Sequence, residues 1–247
     1  MSKKTKHAKG RKRKDINKMT SLLLALMFLG IMPPMSEAAY ITSETELEEL
    51  FTTTGGDGEI KSSISTSSPI TATVNNIILH SDSDSNKLSG AAINLIEGTS
   101  LKLYDLAISN QISFASTGAV SSLVLGDKVN ERASGSGLSL GSISGSVDVS
   151  VETLKNLLFN NDINVNKLTI DSNSTTAKIT YNGNVSLVDS YIQNAGQILL
   201  AENKAFTAKS VNLSGGSLQL GAGSSINATG TDANSGKVVI SGATINN

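Results

Sequence analysis

The sequence predicts an all-β chain wound as a parallel β-solenoid, and three observations carry that expectation. Apolar and polar residues alternate over about four to six positions in segment after segment, the mark of strands with one buried face. Examples are "SLKLYDLAIS", "NKLTIDS" and "GSLQLG". Gly, Asn, Asp and Ser follow nearly every such segment, supplying turns and positive-φ positions. Comparable apolar positions return about every twenty residues, as Leu168 and Leu187, Leu199 and Leu220, and Leu220 and Val239 do. A period of that size marks laps of short strands stacked along one axis.

The first element is a leader. "MSKKTKHAKGRKRKDINK" holds nine Lys or Arg residues against one acid, Asp15. The apolar run Met19–Met32, then Pro33 and Pro34, then "SEA" before Ala39 follow it. Basic, apolar and small-residue stretches in that order predict a signal peptide over 1–38, cleaved between Ala38 and Ala39. The apolar run is short for a membrane span, and no later run reaches that length, so no transmembrane helix is expected beyond it.

Directly after the leader, Ser43 stands three residues before Glu46, a capping box, and Leu47, Leu50 and Phe51 share one helical face. That pattern predicts a short helix closing the first lap of a 39–247 domain, where an open sheet edge would invite association. The segment "SVETLKNLLF" repeats the pattern and predicts a second short helix near 150–159, with Ser150 as its N-cap. Leu154, Leu157 and Leu158 fall 107 residues after Leu47, Leu50 and Phe51. The repeat is compatible with two halves, 39–149 and 150–247. A helix inserted into one continuous rod is the favoured alternative.

Charge narrows the partners. Residues 39–247 carry 11 basic and 19 acidic side chains, a net charge of −8. Such a surface repels phosphate backbones, so nucleic acid is not an expected partner. The chain has no cysteine, which excludes disulfides and thiolate metal sites. His80 is the only histidine after the leader. In "HSDSDSNK", Asp82 and Asp84 are candidate calcium ligands beside Lys87, because oxygen ligands at alternate positions suit that ion. The loop lacks the glycine and distal glutamate of an EF-hand, and a solvated acidic turn is the competing reading. A nucleophilic triad on His80 has no supporting pattern. Asp105, Asp127 and Asp148 read as solvent-facing, and the scattered aromatic residues as core. "GAGSSINATG" lacks the spacing of a dinucleotide loop. No catalytic residue and no cofactor is expected.

The basic leader, the helix "TELEELF" with "GGDGEIKSSI" after it, and the phrases "GTSLKLYDLAISN" and "NLSGGSLQLGAGSSI" resemble a passenger segment of autotransporter-type surface proteins of Gram-negative bacteria. The resemblance covers most of residues 39–247 and implies a right-handed parallel β-helix of the pectin-lyase type. It further implies an exported, non-catalytic, adhesin-like role at the cell surface, in the medium or in the periplasm. The expected partners are a host-surface or extracellular-matrix ligand or a glycan. Two alternatives accompany it: a polysaccharide-active enzyme, and a truncated passenger with no activity of its own. Passengers of this kind precede an outer-membrane barrel, and the closing "VVISGATINN" has neither its strands nor its aromatic girdle. The expectation is therefore a shortened product or a free exported protein, with a separate translocator barrel among the expected partners.

Overall fold

A computed structural model describes residues 38–174, 176–232 and 235–246, which belong to one compact unit. The predicted leader lies outside the described residues up to Glu37. The candidate cleavage residues Ala38 and Ala39 stand at the entry to the first strand, Ala39–Ile41.

The described strands form three sheets, here A, B and C, of 10, 9 and 8 strands. Each lap gives one strand to A, then one to B, then one to C, and each strand pairs in parallel with its counterparts in the laps before and after. Nine steps at about 4.8 Å make sheet A roughly 43 Å long. The solenoid predicted from alternation is therefore the fold.

Alternation places the core. In sheet C, Ile70, Ile93, Ile112, Ile143, Ile163, Val185, Phe206 and Ile226 stack in one inward column. In sheet A, Leu79, Leu103, Leu125, Val151 and Ile170 form another. All of these except Ile226 are buried, and Ile226 packs against them half-buried. Each fully buried side chain contributes roughly 1.5–3 kcal/mol.

The register differs from the expected pairs. Leu168 stands opposite Tyr191 in sheet A, while Leu187 stands opposite Val165 in sheet C. Leu199 and Leu220 miss each other by one place, since Leu220 faces Leu200. Val239 faces Asn212. The physical reason is uneven lap length. Successive partners in sheet A lie from 19 residues apart (Val151 and Ile170) to 27 (Leu213 and Ile240).

The first helix, α1 (Glu44–Glu49), forms as predicted. Ser43 Oγ accepts from the Glu46 amide at 3.3 Å, and Glu46 Oε2 accepts from the Ser43 amide at 3.1 Å. A π-helical turn, Leu50–Thr54, continues it. Leu47, Leu50 and Phe51 are buried over the head of the core. Gly58 makes that seat possible, because a Cβ there would stand 2.6 Å from Leu50 Cδ2.

The second helix does not exist. Residues 150–159 run as the end of the sheet A strand Val147–Val151, a corner, and the sheet B strand Leu157–Phe159. Ser150 sits mid-ladder between Val124 and Thr169. Leu157 and Phe159 point inward and Leu158 outward, a period of two, while Leu154 is 41% exposed. Leu154, Leu157 and Leu158 have helical spacing, but Leu157 and Phe159 also fit a period of two, and the strands stacked on either side claim them.

Candidate functional site

The acidic residues singled out in the sequence lie on the outer face of sheet A and at the corner where the chain turns toward sheet B. Asp82 and Asp84 pair with different cations. Lys61 Nζ stands 2.8 Å from Asp82 Oδ2 and 3.0 Å from Glu59. Arg132 lies 2.6 Å from Asp84 Oδ1, and the Ser136 amide donates to both Asp84 oxygens. The Lys61 hydrogen bond holds the Asp82 carboxyl below the usual range, and the Ser136 amide does the same for Asp84. Lys87 stays outside this cluster: its backbone amide donates to Ser63 and its side chain is exposed. Among the described residues, no three His, Asp or Glu side chains gather as metal ligands would.

His80 lies flat on the Tyr104 ring, with centroids 4.7 Å apart and planes within 3°. Its Nε2 is 3.2 Å from Asp57 Oδ1, an oxygen that no donor reaches in hydrogen-bond geometry. The stack follows from register, since His80 and Tyr104 are ladder partners on adjacent laps.

Two of the three acids expected to face solvent are buried. Asp105, with φ of 51°, has a fully buried carboxylate. Lys155 Nζ binds it at 2.7 Å and the Arg132 amide at 2.6 Å. Asp127 is 6% exposed and accepts from Lys102 at 2.7 Å and from the Val129 and Asn130 amides. Burial works to raise its pKa. Hydrogen bonds from Lys102, Asn130 and Val129 outweigh that and hold it at about 2. Asp148 is exposed, as expected. The buried pair exists because the loop 126–137 folds over this corner and brings Asp127, Glu131 and Arg132 onto it, which single-segment reading misses.

Sheet C differs from its neighbours. Its central outward column reads Thr71, Asn94, Ser113, Ser144, Asn164, Ser186, Thr207, Asn227. Every member is short, polar and uncharged. The equivalent column of sheet B contains Lys87, Leu158 and Leu199, and that of sheet A contains Asp57, Ile78 and Lys102. A signal for the sheet C column does exist in the sequence. A triplet with Ser, Thr or Asn between two non-polar residues sits on each sheet C strand, from "ITA" and "INL" to "FTA" and "INA". The same form also occurs in the other sheets, as "LSL" at 138–140 and "LTI" at 168–170.

The described aromatic residues other than Tyr40 are buried, and all of these but Tyr104 belong to the core as expected; Tyr104 is covered on the outer face of sheet A against His80. No helix among the described residues is long and apolar enough to cross a membrane. No protein-family model matches the chain, and no curated protein or solved structure matches it either.

Proposed function

We propose that the protein is an exported, adhesin-like β-solenoid of the autotransporter-passenger kind, which holds its partner through an extended polar face rather than by catalysis. The observation that carries this reading is the sheet C column, eight laps of uncharged hydrogen-bonding side chains repeated at the lap spacing. Each contact is weak, and strength comes from engaging many at once. The charged face supports the same reading. A polysaccharide-cleaving enzyme would require unpaired acids gathered on such a face. Lysine and arginine partners occupy most of the acids on this one, however, including Asp82, Asp84, Asp105 and Asp127.

The test is adhesion as a function of density. Beads coated densely with the chain are expected to stay on surfaces bearing extracellular matrix or cell-surface glycans, and sparsely coated beads to wash off. Failure to stick at any density would sink the adhesive role. Export is tested separately, by N-terminal sequencing of the product released from cells. A mature product starting at Ala39 is expected, and an uncleaved cytoplasmic chain would contradict it.

A further inference from the structure

We infer that the corner between sheet C and the following sheet A strands is a binding groove for a neutral, hydroxyl-rich oligosaccharide. This rests on the adhesive reading and names its ligand class. The groove has a volume of about 590 Å³ and runs along the rod axis. Its lining comes from five successive laps, Ser116 on the first and Thr207 on the last, so it is roughly 19 Å long at the lap spacing.

Three features select the ligand. The lining contains no charged residue, on a domain with a net charge of −8. Neither a polyanion nor a cation gains from such a place. Next, Ser146, Asn164, Ser186 and Thr207 line the groove, and among the described residues their side chains make no hydrogen bond within the protein. Hydroxyls and amides give and accept hydrogen bonds alike, which matches a sugar's hydroxyls. Lastly, Val188, 77% exposed, gives the groove an accessible aliphatic surface, above Val165 and Leu187, which are buried beneath it. That combination suits the C–H faces of sugar rings.

A peptide is the less suitable occupant. Extended peptides bind by adding a strand to a free sheet edge. Along this groove, every sheet C strand is already paired on both sides with the laps before and after it. Gly145 shapes the recess. It takes φ of 112° opposite Phe114, and a Cβ there would collide with the Phe114 carbonyl oxygen.

The experiment titrates the full chain with neutral glucan, mannan, galactan and N-acetylglucosamine oligosaccharides. Polygalacturonate and an uncharged Ser/Thr-rich peptide are run alongside. At least one neutral sugar is expected to bind. Asn164→Asp and Val188→Asp should each weaken it tenfold or more, with unchanged circular dichroism and melting. Ser122→Asp, on the exposed face of sheet A, should leave binding intact. Binding of none of the neutral sugars overturns the assignment, as does equal binding by the groove variants or a preference for the peptide or polygalacturonate. Coated beads that still adhere while no neutral sugar binds would defeat the groove and leave the adhesive reading standing. Loss of adhesion with sugar binding retained would do the reverse.

Discussion

Between Asp57 and Lys155 the rod is dressed in charge, while from Leu157 onward it is filled with rings. The first region carries the ion pairs of Lys61, Lys102, Arg132 and Lys155, together with the folded-over loop, and the sealing helix precedes it. The second has a single described pair internal to it, Lys209 with Asp232 at 3.6 Å. Inside it, Phe159 and Tyr181 stack at 4.8 Å, and Phe206 touches both Tyr181 and Tyr191. One ladder geometry thus tolerates two kinds of reinforcement. Electrostatics binds the outside of the early laps, and aromatic packing fills the inside of the later ones.

The sharpest way to break the contrast is at Phe206. Phe206→Ala should cost about 4 kcal/mol by opening a cavity among the rings, and the cost should be the same at low and high salt. Denaturant unfolding in both conditions measures it, and a strong salt dependence would remove the distinction between the regions. Asp105→Ala comes next. It leaves Lys155 and Arg132 without their buried partner and should cost about 3 kcal/mol, read by the same unfolding curves. A loss under about 1 kcal/mol would mean that the network is decorative.

Acid should act on the first region through Asp127. Asp127 has its pKa lowered from 3.8 to about 2 in the folded chain. Its contribution is therefore complete above about pH 4 and disappears as pH falls through 2. Melting temperatures across that window should fall for the native chain and fall less for Asp127→Asn. Equal slopes would show that Asp127 is not responsible. The smallest effect is expected at Tyr181, whose buried hydroxyl has no hydrogen-bond partner among the described residues. Tyr181→Phe removes that unsatisfied group and should stabilise by about 1 kcal/mol. A destabilised variant would mean that the hydroxyl is satisfied after all.

Strand identity was legible because a buried face imposes period two on any short segment. The sealing helix was legible because Ser43 and Glu46 act within one turn. Register was not, since laps of 19 to 32 residues give no fixed offset to search for. Everything that depends on register was hidden with it. Asp84 meets Arg132 across 48 positions and Asp105 meets Lys155 across 50, two laps away. The sheet C column was only partly within reach, because its triplets share their form with "LSL" and "LTI" of the other sheets. At 150–159 Leu154, Leu157 and Leu158 fit a helix while Leu157 and Phe159 fit a strand, and only the neighbouring laps decide between them.

The loop 126–137 shows what uneven laps allow. It lengthens one turn of the coil, and the strands on either side, Ser121–Leu125 and Leu138–Leu140, still meet their partners in line. Corners are thus grafting points: new surface chemistry inserted there changes what the rod displays without disturbing what supports it.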